Sequence, residues 1–147
     1  MSKLTESFAA GVLKFLDSIL AITAPSAVSY LRLTPHRWSA AYNNLGFRDR
    51  EASLRICPVT SKDPLSAADQ FNIEYRAADA AACPHLALAA IINAGVQGIE
   101  ESLTANEPTS EDLSLLSPNE LAKRGFIRLP QNLDSALKCM SSNKTLR

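Results

Sequence analysis

Three arginines fall within eight positions, Arg48, Arg50 and Arg55, in the run Gly46-Phe47-Arg48-Asp49-Arg50-Glu51-Ala52-Ser53-Leu54-Arg55. A second run, Phe71-Asn72-Ile73-Glu74-Tyr75-Arg76, alternates apolar and polar residues without exception. Alternation of period two reads as a half-buried strand, which places Glu74 and Arg76 on one face. Ser53 and Arg55 alternate with Leu54 and Ile56 in the same way. Pairing of the two strands would gather Arg55, Glu74 and Arg76 on one sheet face. Guanidinium forks bind phosphate oxygens in bidentate fashion, and a carboxylate is a hard oxygen ligand for Mg²⁺ or Mn²⁺. Such a face suits a phosphate-and-metal site. A ladder of cross-strand ion pairs on a wet face explains the same residues, and the pattern alone favours that plainer reading.

The chain of 147 residues has the length of one domain with a sizeable core. Lysine plus arginine equals aspartate plus glutamate, 15 each, so no global field draws the protein to nucleic acid or to a membrane. Cys57, Cys83 and Cys139 are widely spaced and form no CxxC pair. Free thiols in a reducing cytoplasm are expected, and a zinc site is not. Glu6, Lys14 and Asp17 interrupt the N-terminal apolar stretch, so no signal-peptide core is expected. Asp79, Pro84, His85 and Asn93 break up the alanine-rich run after Arg76, which argues against a membrane span.

Elements to position these residues can be read from the apolar periods. Phe8, Val12, Leu16 and Leu20, flanked by Phe15 and Ile19, give one helical stripe, with Thr5 as the expected N-cap and Pro25 as the stop. Residues 26–38 read as a loop containing Tyr30, Arg32, His36 and Trp38. Strands are expected through 41–45, 52–57 and 71–76. The segment 58–70 reads as a loop, because Pro64 opposes strand continuation. Pro84 fits the first turn of a helix whose face would carry Leu88, Ile91, Ile92, Gly95 and Ile99. Residues 100–112 read as a solvated acidic loop. Ser117-Pro118-Asn119-Glu120 is a capping box, and Lys123, Arg124 and Gly125 close the helix it starts. Leu133, Ala136, Leu137 and Met140 form a last stripe, and 141–147 is a polar tail outside the domain formed by 1–140. The fold class is α+β: an antiparallel sheet with helices packed on one face.

Taken together, the motifs resemble one family. Ser29-Tyr30-Leu31-Arg32-Leu33-Thr34-Pro35 resembles the SYKRLxP segment of glutamine synthetases. The run from Asp49 to Ile56 resembles their NRxxxxRIP segment. The run from Ile73 to Leu86 resembles ExRxxDPAANPYL, and Ala94-Gly95-Val96-Gln97-Gly98-Ile99 resembles AGLDGI. The order and near-family spacing cover almost the whole chain.

The resemblance implies an ATP-dependent ligase that joins glutamate to an amine through γ-glutamyl phosphate, with Mg²⁺ or Mn²⁺ as cofactor. It implies Arg50 and Arg55 on phosphate oxygens as catalytic and nucleotide-binding groups. It implies Glu74 as a metal ligand, and Arg32 and Arg76 on the glutamate carboxylate. Trp38 stands where the family carries a glutamate that helps deprotonate ammonium. That points to a larger or more apolar amine, as in γ-glutamylpolyamine synthetases. Asn72 stands in place of a frequent arginine, and 58–70 is longer than usual. The resemblance covers only the C-terminal part of the family's catalytic domain and one of its metal carboxylates. It therefore implies no turnover by this chain alone and self-association through uncovered apolar surface. The alternative is a non-catalytic truncated relative that serves as a binding or oligomer-interaction module.

Overall fold

The computed structural model describes residues 1–145. Among the described residues, seven α-helices and three short strands follow one another, with a 3₁₀ turn at Leu113–Leu115. The helices are α1 (Lys3–Lys14), α2 (Leu16–Thr23), α3 (Ser29–Arg32), α4 (Pro64–Gln70), α5 (Pro84–Glu100), α6 (Pro118–Lys123) and α7 (Leu133–Ser142). The strands are β1 (Leu45–Phe47), β2 (Leu54–Ile56) and β3 (Ile73–Tyr75).

The N-terminal stripe folds as two helices. At Phe15 the backbone leaves the helical region (φ −100°, ψ 8°), and the Phe15 carbonyl restarts the ladder by accepting from Ser18 and Ile19. Val12, Phe15, Leu16, Ile19 and Leu20 are all buried on either side of the break, so the stripe stays on the core. Ser2, rather than the expected Thr5, caps α1, its side chain accepting from the Thr5 N–H.

The sheet has the order β1-β2-β3. The β2–β3 pair is antiparallel, with Arg55 opposite Glu74 and Leu54 opposite Tyr75. The β1–β2 pair is parallel, so the expectation of a wholly antiparallel sheet is corrected to a mixed one. A parallel return normally needs a long crossover. Here each strand is three residues long, so the return climbs only about 7 Å, which the link 48–53 can span. Arg48 turns the chain at φ 60°. Gly46 makes room for the link: a Cβ there would lie 2.5 Å from the Ala52 Cβ and 2.8 Å from the Asp49 Cβ.

Helices do pack on one sheet face. Leu45 and Leu54, with Ile56, Ile73 and Tyr75 at the margin, join Ala9, Val12, Leu13 and Ala94 of α1 and α5 in one apolar cluster. A second cluster joins Leu16, Leu20, Leu33, Ala77, Leu129 and Ala136. The opposite sheet face is left for Arg55 and Glu74.

Helix α5 turns only part of its expected face inward: Gly95 is buried and Ile91 packs against the apolar cluster. Ala87, Ala94, Gly95 and Gly98 are buried, while Leu88 and Ile92 remain 58% and 53% exposed. Its main neighbour is α1, which comes so close that Gly11 and Gly98 face each other backbone to backbone and the Phe8 ring lies directly over Gly95.

The segment 58–70 contains α4, begun by Pro64 and capped by Asp63, whose carboxylate accepts from the Ser66 N–H. The capping box at Ser117 and Glu120 is present on both sides, and Gly125 follows at φ 76°. Ser141 and Ser142 of the expected tail belong to α7, and residues 146–147 of that tail lie outside the described residues. Among the described residues no helix is long and apolar enough to cross a membrane.

Candidate active site

Cross-strand register places the charged cluster. Arg55 sits at the centre of β2 directly opposite Glu74 on β3. Arg55 Nε lies 2.9 Å from Glu74 Oε2, and Arg76 Nη1 donates to Glu74 Oε1 at 2.9 Å. The carboxylate is thus held between two guanidiniums that are only 17% and 14% exposed. The Arg55 contact is close but poorly directed, so both Arg55 Nε and Glu74 Oε2 are buried without a well-formed hydrogen bond.

Arg76 ties the surrounding loops to the sheet. Its backbone N–H donates to the Ser53 carbonyl at 2.9 Å. Its Nε donates to the Arg50 carbonyl at 3.0 Å and its Nη2 to the Trp38 carbonyl at 2.7 Å. One side chain therefore holds β3, the 48–53 link and the 34–39 loop in a fixed relation.

Behind it, Arg32 Nη1 donates to Ser39 Oγ and to the Arg76 carbonyl, and Nη2 donates to the carbonyls of Ala77 and Ala78 at 3.3 and 3.0 Å. Arg32 clasps the backbone that carries Arg76. Tyr75 fixes β3 from the core side through a 2.9 Å hydrogen bond with Thr23, and burial pushes its phenol above the ordinary range.

Arg50 is exposed, with its guanidinium 5.2 Å from the Trp38 ring. Arg55, Glu74 and Arg76 therefore form one contiguous group, Arg50 flanks it through Trp38, and Arg32 lies behind it. Two contributors had no role in the sequence reading. Glu51 accepts from the backbone N–H groups of His36 and Trp38, and Ser39 receives Arg32. Glu51 lies inside the arginine-rich run, and its proximity in sequence to Arg50 was the only signal available.

As a metal donor, Glu74 fits in part. Its Oε2 lacks a directed partner, as an oxygen that meets a cation would. Among the described residues no group of three His, Cys, Asp or Glu side chains converges on one point. Mg²⁺ demands a near-octahedral set of oxygens. The described residues offer Glu74 as a donor but no carboxylate-and-histidine cage of three or more.

Comparison with known proteins places the sequence and the fold. The sequence model of the glutamine synthetase catalytic domain matches residues 1–147. A gamma-glutamylpolyamine synthetase of Streptomyces coelicolor is 40% identical over 147 residues, 100% of this chain and 31% of that protein. A glutamine synthetase of Staphylococcus epidermidis is 35% identical over 140 residues, 95% of this chain and 30% of that protein. Among solved structures, a novel glutamine synthase homolog superposes with a TM-score of 0.78 at 47% identity, covering 99% of this chain and 30% of its own. A GmaS/ADP complex superposes with a TM-score of 0.76 at 25% identity, covering 99% and 32%. The chain thus spans about 30% of the length of the relatives it matches. Its mixed sheet, its helices on one face and its sequence place it, as a segment of the catalytic domain, in the glutamine synthetase family.

Proposed function

We propose that this chain supplies the arginine-rich side of the active site of an ATP-dependent glutamate–amine ligase. The observation that carries the reading is the Arg55–Glu74–Arg76 cluster on the sheet face opposite the helices, flanked by Arg50. In the ligase a γ-carboxylate oxygen of glutamate attacks the γ-phosphorus of ATP, and the bond to the bridging oxygen breaks to release ADP. The amine nitrogen then attacks the γ-carbonyl carbon of γ-glutamyl phosphate, and phosphate leaves.

Arg50 and Arg55 take the oxygens of the transferring phosphoryl group, where fixed positive charge lowers the barrier without reorganisation. Arg76, held at three points, takes the substrate carboxylate, and Arg32 keeps its backbone in place as the second member of that subsite. Glu74 is one oxygen donor to Mg²⁺ or Mn²⁺, which supplies charge neutralisation when bound. The remaining donors come from the part of the relatives that this chain does not cover, so the chain alone does not turn over. The free state of Cys57, Cys83 and Cys139 fits a reducing cytoplasm.

The acceptor is an amine with a carbon body larger than ammonium. Trp38 is 68% exposed beside Arg50 and offers an aromatic surface where an ammonium-binding site would need an oxygen acceptor. The similarity to a gamma-glutamylpolyamine synthetase supports this choice. In a longer protein that carries this segment with the rest of the catalytic domain, Arg50→Ala is expected to lower amine-dependent ADP formation by about 10²–10³-fold. A wild-type rate in that variant would sink the assignment.

A second reading, a non-catalytic module that docks onto another chain, is favoured by one observation. Leu88, Ile92 and Val96 leave an apolar stripe of α5 open to solvent, at 58%, 53% and 39% exposure.

A further inference from the structure

The loop that carries Trp38 is held in an unusual conformation by several side chains, of which Glu51 takes its backbone N–H groups. His36 and Trp38 both have positive φ, 62° and 53°, a region that residues with a Cβ seldom occupy. Such conformations persist only where the surroundings over-determine them. Here Glu51 Oε2 accepts from the His36 N–H at 2.9 Å, and Glu51 Oε1 accepts from the Trp38 N–H at 2.6 Å. Both carboxylate oxygens are therefore committed to the backbone of one loop. Asp49 Oδ1 accepts from the Glu51 N–H at 2.8 Å and fixes the backbone from which Glu51 reaches. On the far side of Trp38, its carbonyl receives Arg76 Nη2 at 2.7 Å, and the next residue, buried Ser39, receives Arg32.

The backbone is thus pinned at each peptide around an exposed ring. The guanidinium of Arg50 lies over that ring. A second small cation brought to this wall meets the charge of Arg50, whereas an uncharged carbon chain loses nothing by lying on the ring.

We infer that Glu51 is a positioning residue for acceptor specificity: it holds Trp38 as the wall against which the carbon body of the amine lies. This rests on the ligase reading above. Glu51 does not act as a base, because its two oxygens already serve the loop. Glutamine cannot replace it: the amide keeps one acceptor oxygen and turns an NH₂ towards a backbone N–H.

Trp38 is the single tryptophan of the chain, so its fluorescence reports the loop directly. In this chain, Glu51→Gln is expected to lower the fluorescence anisotropy of Trp38 relative to the unsubstituted chain. In the longer protein, the same substitution is expected to raise KM for the amine by about tenfold while KM for ATP, KM for glutamate and kcat stay within about twofold. Trp38→Leu is expected to show the same selective loss for amines with a carbon body. An unchanged anisotropy, or a rise in all KM values together, overturns the inference. Absence of any ligase turnover in the unsubstituted longer protein overturns the ligase reading and the acceptor role with it. The anisotropy then decides separately whether Glu51 holds the loop.

Discussion

Among the described residues the carboxylate of Glu74 bridges the Arg55 and Arg76 guanidiniums, held by a directed hydrogen bond on the Arg76 side and by proximity alone on the Arg55 side. Removing it leaves two largely covered cations facing each other. Glu74→Gln is expected to destabilise the chain by about 1 kcal/mol, a modest figure because the Glu74 side chain is 39% exposed and solvent screens the pair. The same variant is expected to gain stability from inorganic phosphate, read as a rise in Tm larger than that of the unsubstituted chain. An equal phosphate response in both would show that the arginines are ion-pair partners and nothing more. The cluster itself was legible in the sequence, because period-two alternation fixes which side chains share a face once two strands pair. The roles of Glu51 and Ser39 were not legible. Glu51 acts on backbone N–H groups 13 and 15 residues away, and nothing in residue type or local spacing marks such a contact.

Packing between α1 and α5 depends on the absence of side chains. A Cβ on Gly11 would stand 2.6 Å from the Gly98 Cα and closer still to the Ala94 carbonyl, and these obstacles are backbone that cannot swing aside. Gly98→Ala or Gly11→Ala is therefore expected to cost at least about 2 kcal/mol, measured by thermal or urea unfolding. A change below about 0.5 kcal/mol would mean that the helices can separate freely. This close crossing also explains why the buried face of α5 was read only in part. Gly95 and Ile91 of the expected face do pack inward, but the crossing with α1 is made by Ala94, Gly95 and Gly98, which leaves Leu88 and Ile92 outside. The parallel β1–β2 pair escaped the sequence for a related reason. Strand direction over three residues depends on how tightly 48–53 folds back over Gly46, and residue alternation carries no sign for direction. Helix α4 was hidden because Pro64 was weighed against a strand and not as a first helical residue after Asp63, where it costs nothing.

At the scale of the whole molecule, the chain has a closed core, an open charged face and an open apolar stripe. The stripe on α5 predicts association: sedimentation velocity is expected to show mass rising with concentration, and Leu88→Glu with Ile92→Glu to abolish that rise. A monomer at all concentrations in the unsubstituted chain would contradict it. The charged face belongs to a segment of a catalytic domain that spans about 30% of the length of the relatives it matches, and among the described residues no three His, Cys, Asp or Glu side chains gather as a metal site. The central claim is that these residues are one side of a glutamate–amine ligase site that needs the rest of the catalytic domain. Its most direct test is ADP release with Mg-ATP, glutamate and a panel of amines including ammonium, measured for this chain and for a longer protein that carries it. The account predicts no release by the chain, and amine-dependent release by the longer protein that is faster with amines bearing a carbon body than with ammonium. Release by the chain alone, or none from the longer protein with any amine, would contradict it.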